Sequence, residues 1–552
     1  CGMQGLLFKL GRMWVVSGVF ICVPEFLMLV RALLCWCFFG VCMLSQLSAD
    51  VRLPRLFSDH AVLQRDQELT VWGWADPGEA VSVTLGAAQG QAKADESGRW
   101  SVRLAPQPVS AVPLTLVVQG RNRLEVRDLL LGDVWLCSGQ SNMEFPLGAC
   151  DASEDIAAAD FPLIRQFGVE LNFAQVPQSD VRGQWTVCTP QSAAGLTAVG
   201  FYFARRVQAE TGVPIGLLRS SVGGTNIECW MSQETLLTTP ELEPYARIMR
   251  ESLAEYQQEL ATALPAIEAW TAESRAALQS GTAIPLPPVW PEFPFGERRF
   301  RPRCVTLHNG MIAPLVPTAL KGVLWYQGEN NAGGPVECEQ YIAKKRAMIQ
   351  DWREWFRNPD LPFYFVQLAA WQRPHDRPGD ADGWALFRDA QRRCLSLPGT
   401  GMAVAIDVGD AEDIHPKNKA DVGDRLARWA LHEQYGKAME VSGPLFRELT
   451  LEGAVARVSF SHVGAGLMVG EKSGRGAVTE RADVPLQRFA IAGADRQWYW
   501  ADARIDGDSV VCTHPSVPAP VAVRYACSMN PAGANLYNRD GLPASPFRSD
   551  DW

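Results

Sequence analysis

The stretch Leu131–Phe145 reads LGDVWLCSGQSNMEF, and how it is interpreted decides the fold. Val134, Trp135 and Leu136 form the end of a buried strand, and polarity rises abruptly at Gly139-Gln140-Ser141-Asn142. A glycine at that point supplies the tight turn that lifts the following side chain onto an exposed edge. Ser141 is therefore the candidate nucleophile. A serine hydroxyl is a poor nucleophile at neutral pH, so the reading needs a histidine delivered by the fold and donors for an oxyanion. An isolated Gly-x-Ser is more often plain turn chemistry, and the rest of the chain has to decide the matter.

Outward from this stretch, residues 129–436 alternate apolar strands with helical segments, the pattern of an α/β domain with a parallel sheet. Expected strands include Ile215–Leu218, Gly322–Tyr326, Phe363–Leu368 and Met402–Asp407. Expected helices are Phe201–Thr211, Glu339–Phe356, Ala385–Leu395 and Lys419–Gln434. Residues 233–301 break the rhythm with a long helical stretch and the proline-rich PLPPVWPEFPF, and read as an insertion.

Open α/β sheets place their ligand sites at strand ends. Three such ends carry glycine and polar residues: Ser141; Ser220-Ser221-Val222-Gly223-Gly224-Thr225-Asn226, where paired glycines let backbone N–H groups approach an oxygen; and Trp325-Tyr326-Gln327-Gly328-Glu329-Asn330-Asn331, rich in neutral amide donors. A fourth, Ile406-Asp407-Val408-Gly409-Asp410-Ala411-Glu412-Asp413-Ile414-His415-Pro416, supplies the base. The chain has seven histidines, and His415 is the one flanked by acids at a strand end. A catalytic imidazole needs an acceptor for Nδ1–H, and Asp413 and Glu412 are both within reach.

On either side the alternation is that of short strands. Residues 50–128 read as a small β-sandwich-like module, with runs such as Leu69–Trp74, Ala80–Leu85 and Arg99–Leu104. Residues 437–552 read as a second β-rich module ending in an aromatic, proline-rich tail. Residues 1–49 read as a leader: with a start at Met28, Arg31 gives a positive n-region, Ala32–Leu44 an apolar h-region, and Leu47-Ser48-Ala49 a cleavage site. The expected location is outside the cytoplasm, periplasmic or secreted, with no stable membrane insertion after the leader is removed.

Over 552 residues the net charge is -10, and there is no long Lys/Arg run, which leaves nucleic acid without an electrostatic footprint. Of 14 cysteines five precede Asp50, leaving nine, an odd number with no CxxC and no metal-ligand spacing. The nineteen tryptophans suit sugar stacking as well as core packing, with packing the safer expectation.

Taken in order, Gly139-Gln140-Ser141-Asn142-Met143, Gly223-Gly224-Thr225, Trp325-Tyr326-Gln327-Gly328-Glu329 and Asp413-Ile414-His415-Pro416-Lys417-Asn418-Lys419 resemble the sialate O-acetylesterase family of SGNH hydrolases. The resemblance extends to Leu53–Asp59, Asn309–Pro314 and, in the tail, Asn535–Asn538 with Gly541–Phe547. It implies a three-layer α/β domain flanked by β-rich modules, and a serine esterase, free of metal and cofactor, that removes acetyl groups from sugar hydroxyls. By this resemblance Ser141 attacks the acetyl carbonyl, and His415 is general base and then acid. The N–H of Ser141 with that of Gly223 or Gly224 forms the oxyanion hole. The wider superfamily places Gly-x-Asn in its third block, so the side-chain donor is left open among Gln327, Asn330 and Asn331, with Gln327 the first choice. Whether Asp413 or Glu412 orients His415 is also open; if neither does, a Ser141–His415 dyad with a backbone carbonyl remains. Gln140, Asn142, Trp325 and Glu329, from the same motifs, are the expected contacts to an O-acetylated carbohydrate. Two other classes stay in view: a carbohydrate-binding or adhesion protein on an inactive core, and a glycoside hydrolase pairing Glu329 with Asp410 or Asp413.

Overall fold

The computed structural model describes residues 50–295 and 304–552; the leader expected over residues 1–49 and the end of the insertion lie outside the described residues. Chain order begins with seven strands: β1 (Val62–Gln64), β2 (Leu69–Trp74), β3 (Ala80–Leu85), β4 (Ala88–Lys93), β5 (Arg99–Leu104), β6 (Ser110–Gln119) and β7 (Arg123–Gly139). The alternating burial of β5, with Trp100, Val102 and Leu104 inward, is the period-2 pattern its sequence dictates. The 17-residue β7 joins two regions. Its first half pairs with β6 antiparallel and β1 parallel, and its second half enters a parallel sheet between β10 (Ile215–Ser221) and β11 (Gly322–Tyr326). Residue 128, where sequence composition changes, lies inside this one strand.

The central sheet runs β13-β12-β11-β7-β10-β8-β9, with β8 Phe161–Val169, β9 Gly183–Cys188, β12 Phe363–Val366 and β13 Thr400–Ala403. All its neighbouring pairs are parallel except β8 with β9. Strands β8 and β9 did not stand out in the sequence. Their residues mix polar and apolar positions and β8 carries Pro162, which weakens the apolar run by which a buried parallel strand is recognised. The strand expected over Met402–Asp407 shifts to Thr400–Ala403, and Val404 to Ile406 leave the ladder to begin the loop that carries the site.

Helices cover both faces, as parallel sheets require. They are α1 (Ala198–Thr211), α2 (Glu243–Ser280), α3 (Pro335–Trp355), α4 (Gly383–Arg393) and α5 (Lys419–Tyr435). On one face α1 and α5 bury Phe201, Phe203, Leu426 and Ala430 against Trp135, Leu324 and Tyr326. On the other α3 brings Tyr341, Met348 and Trp352 against Val323, Trp325 and Phe363. Within the residues read as an insertion, a short helix at Gln233–Thr238 precedes the 38-residue α2, which has only Ala246, Met249 and Ala263 buried; an extended return segment is held to α2 by Trp270 Nε1 donating to Pro285 O and by Phe293 edge-on to Tyr256. Among the described residues no helix is long and apolar enough to cross a membrane.

From Leu445 onward antiparallel sheets pack around Phe460, Phe489, Ile491, Tyr525 and Phe547. This region is stitched to the α/β body by polar contacts: buried Arg388 of α4 donates to the carbonyls of Ser528 and Met529, and Gln367 Nε2 donates to Ser545 Oγ. All nine described cysteines are free thiols.

Candidate active site

Gly139 ends β7 at φ +135°, and a Cβ there would stand 2.1 Å from the carbonyl oxygen of Tyr326. Only glycine fits, and the close approach lets Gln140 N–H donate to that same carbonyl at 2.9 Å. The chain then enters the helical turn Ser141–Glu144, which leaves Ser141 half-buried at the carboxyl end of the sheet.

The loop from β13 to α5 brings His415 over 270 residues to this serine. His415 Nε2 lies 2.9 Å from Ser141 Oγ. Its Nδ1 lies 3.1 Å from Asp413 Oδ1, which also accepts the His415 backbone N–H at 2.9 Å. That backbone bond, with the imidazole beside it, holds the Asp413 carboxyl below its ordinary range. The imidazole stacks on the Phe145 ring at 5.7 Å and 13°. Glu412 is exposed, and among the described residues its carboxylate has no bond to His415; the two-residue spacing of Asp413 closes a tight side-chain turn that the preceding residue faces away from. Of the two acids left open by the sequence, the structure brings Asp413 to the histidine. A hydroxyl, imidazole and carboxylate in this chain can pass a proton from the first to the second, with the third fixing the tautomer.

Behind Ser141 the expected substrate contacts turn out to be scaffold, which corrects the sequence reading. Gln140 is buried and its Oε1 accepts from Gly328 N and Asn330 N. Asn142 Nδ2 donates to Glu329 Oε1 at 2.5 Å and to Ile414 O at 3.1 Å, so it ties the histidine loop to the serine turn. The neighbours of Ser141 point inward because a helical turn that exposes one residue buries those flanking it. Trp325 points to the far face of β11, edge-on to Trp230 and Trp352 in the core. Glu329 has one oxygen on Asn142 and the other buried without a partner among the described residues, and burial raises its pKa. Its carboxylate is thus engaged by Asn142 on one oxygen and buried on the other, and it makes no contact with Asp410 or Asp413 among the described residues.

Lys419, the first residue of α5, was not singled out in the sequence. Its amine is buried and donates to Asn142 Oδ1 and Pro416 O, clamping the loop on the other side. Burial pushes its pKa down to about 8. The signal was its four-residue offset from His415, one that surface lysines at helix starts share.

The Gly-Gly turn packs directly on the serine: a Cβ at Gly223 would lie 3.3 Å from Ser141 Cβ. Val222 N–H donates to Gly139 O, and Thr225 Oγ1 closes the turn on Val222 O. The N–H groups of Ser141 and Gly224 have no acceptor among the described residues, whereas Gly223 N–H is held by Glu144 Oε2 at 2.8 Å. The side-chain donors are committed elsewhere, a second correction. Gln327 Nε2 donates to Thr225 O and Asn331 Oδ1, and its Oε1 accepts from Tyr341 OH. Asn331 Oδ1 also accepts Ile227 N–H, and its Nδ2 donates to Glu228 Oε2. Asn330 sits at the rim, donating to Gly224 O and Asn226 Oδ1. Thus Gln327 and Asn331 brace the Gly-Gly turn from behind instead of facing a reacting atom.

That brace continues into a buried ion pair. Glu228 Oε1 lies 2.5 Å from Lys344 Nζ, each side chain 3% exposed, and Lys344 also donates to Tyr245 OH at the base of α2. An unbroken chain of polar contacts therefore runs from the insertion helix to the turn beside Ser141.

The sequence and fold match known proteins. A family profile described as "Carbohydrate esterase, sialic acid-specific acetylesterase" covers residues 131–267 and 303–432. The chain is 28% identical to mouse (Mus musculus) sialate O-acetylesterase over 546 residues, 90% of this chain and 94% of that protein. It is 31% identical to the rat (Rattus norvegicus) sialate O-acetylesterase over 446 residues, 72% and 77% of the two chains. The crystal structure of a carbohydrate acetylesterase from Xanthomonas citri superposes with a TM-score of 0.75 at 38% identity, covering 91% of this chain and all of that one. The chain belongs to the sialic acid-specific acetylesterase family of carbohydrate esterases, and so to the carboxylic ester hydrolases.

Proposed function

We propose that this chain removes O-acetyl groups from carbohydrates through an acyl-enzyme on Ser141. The observation that carries the reading is the contact of Ser141 Oγ with His415 Nε2 at 2.9 Å, backed by Asp413 on Nδ1. His415 takes the Ser141 proton as Oγ adds to the acetyl carbonyl, and the oxyanion is met by backbone N–H groups of Ser141 and the Gly-Gly turn. His415 then protonates the departing sugar oxygen. Water, deprotonated by the same imidazole, cleaves the acyl-enzyme and releases acetate. Sialic acids and acetylated plant glycans present the same ester, and the family likeness favours sialic acids. An exported location rests on the apolar stretch before Asp50.

The test is acetate release from 4-nitrophenyl acetate, O-acetylated sialosides and acetylated xylan. Release from at least one glycan is the expected result, and its absence from all three with folded protein overturns the reading. The role of the acid is checked separately. Asp413→Asn is expected to lower kcat on the order of 100-fold by losing the tautomer-fixing acceptor, while Glu412→Gln stays within about twofold. A larger loss in the Glu412 variant would reverse the assignment.

A further inference from the structure

The donor Gly223 N–H beside the serine is already taken by an anion of the protein itself. Glu144 Oε2 accepts it at 2.8 Å, from a side chain that is 43% exposed and stands three residues after Ser141 on the same helical turn. Gly223 has both side chains next to it: a Cβ there would lie 3.3 Å from Ser141 Cβ and 3.4 Å from Glu144 Oε2. A carboxylate in that position both occupies an oxyanion donor and repels the negative charge that develops on the acyl oxygen.

A second seat for the same carboxylate is close at hand. Arg219, on β10, approaches to 3.8 Å from Glu144 Oε1, and its guanidinium has no hydrogen-bonded partner among the described residues. Its guanidinium lies beside Gly168 of the neighbouring strand β8 and is 23% exposed against 43% for the Glu144 side chain, so the carboxylate has the more open surroundings of the two. The move from Gly223 N–H to Arg219 exchanges one charge-assisted hydrogen bond for a salt bridge.

We infer that Glu144 is a positioning residue for the esterase reaction: its carboxylate competes with the acyl oxygen for Gly223 N–H, and Arg219 receives it when substrate binds. The inference rests on the esterase reading above. Its consequence is that, while Glu144 covers Gly223, the resting enzyme offers the acyl oxygen only the N–H groups of Ser141 and Gly224, so apparent efficiency is reduced by the fraction of time the third donor is covered. The seat is also one that another carboxylate, such as product acetate, fits once Glu144 is removed.

The experiment compares wild type, Glu144→Ala, Glu144→Gln, Arg219→Met and the Glu144→Ala/Arg219→Met double variant on 4-nitrophenyl acetate, with sodium acetate as inhibitor. For a site closed about nine-tenths of the time, Glu144→Ala is expected to raise kcat/KM about tenfold. Arg219→Met lowers it in the wild-type background and leaves it unchanged in the Glu144→Ala background, and acetate inhibits Glu144→Ala more strongly than wild type. If Glu144 only caps the turn, Glu144→Ala and Glu144→Gln both lose activity and the Arg219→Met effect is additive, which overturns the inference. Wild type without acetate release would instead overturn the esterase reading.

Discussion

Ser141→Ala is expected to lower kcat for acetyl-ester hydrolysis by about 10⁴- to 10⁶-fold while leaving the fold unchanged, the loss typical when a nucleophile of a serine–histidine unit is removed. The expectation rests on the proposed acyl-enzyme and on two features of the geometry. Ser141 Oγ makes its contact with His415 Nε2, and the serine turn is anchored by groups other than that hydroxyl: Gln140 N–H on Tyr326 O, and Asn142 on Glu329, Ile414 and Lys419. Removing the oxygen therefore takes away the proposed nucleophile without unpicking the turn. His415→Ala is expected to cost about as much, and the double variant no more than either, because the two act as one unit. Single-turnover acetate release and circular dichroism check this. A Ser141→Ala enzyme retaining a tenth of wild-type kcat would place the nucleophile elsewhere.

The second large effect is on stability. Lys344→Met is expected to destabilise the protein by about 3–5 kcal/mol, since it strands a buried carboxylate. Burial disfavours the Lys344 charge, but Glu228 outweighs it and the pKa of the lysine is raised. The stabilisation from this lysine is thus complete below its unfolded value and fades only as pH rises through the folded one, so the loss in Lys344→Met is undiminished at neutral pH. With Lys344 gone, Glu228 keeps only Asn331 Nδ2 among its side-chain partners described here. Pairing the change with Glu228→Gln, which removes the orphaned charge, is expected to recover part of the loss. Urea unfolding midpoints of the two single variants and the double variant form the cycle, and single-variant losses under about 1 kcal/mol would show the pair is not holding the region. Because the pair supports Asn331, and through it Ile227 and Gln327, the folded Lys344→Met enzyme should also show a lower kcat.

Local chemistry was legible along the chain wherever a residue type is dictated by its own backbone. Gly139 had to be glycine where strand β7 meets a carbonyl. The strand-end placement of Ser141, Gly223-Gly224 and His415 followed from apolar runs breaking into turn residues, and α3, α4 and α5 follow the helical stretches read there. The sequence was less informative where an element's identity depends on its neighbours. Strand β8 becomes a strand by lying beside β10, and β9 by pairing with β8, not by their own pattern.

By itself the sequence determined the family, the α/β order of elements and the four strand-end segments that meet at the site. Only the tertiary structure decided what each polar side chain in those segments faces. Gln140, Asn142, Gln327, Glu329 and Asn331 are the same residue types whether they touch a ligand or brace a loop, and their partners come from Tyr341, Ile414, Lys419 and Glu228, distant in sequence for most of them. The choice of Asp413 over Glu412, the seat of Glu144 on Gly223 and the inward face of Trp325 are likewise set by which side of a turn or strand a residue occupies once the chain is folded. A buried amide or carboxylate must find a hydrogen-bond partner, but which one it finds depends on packing between segments, and that information does not reside in any one of them.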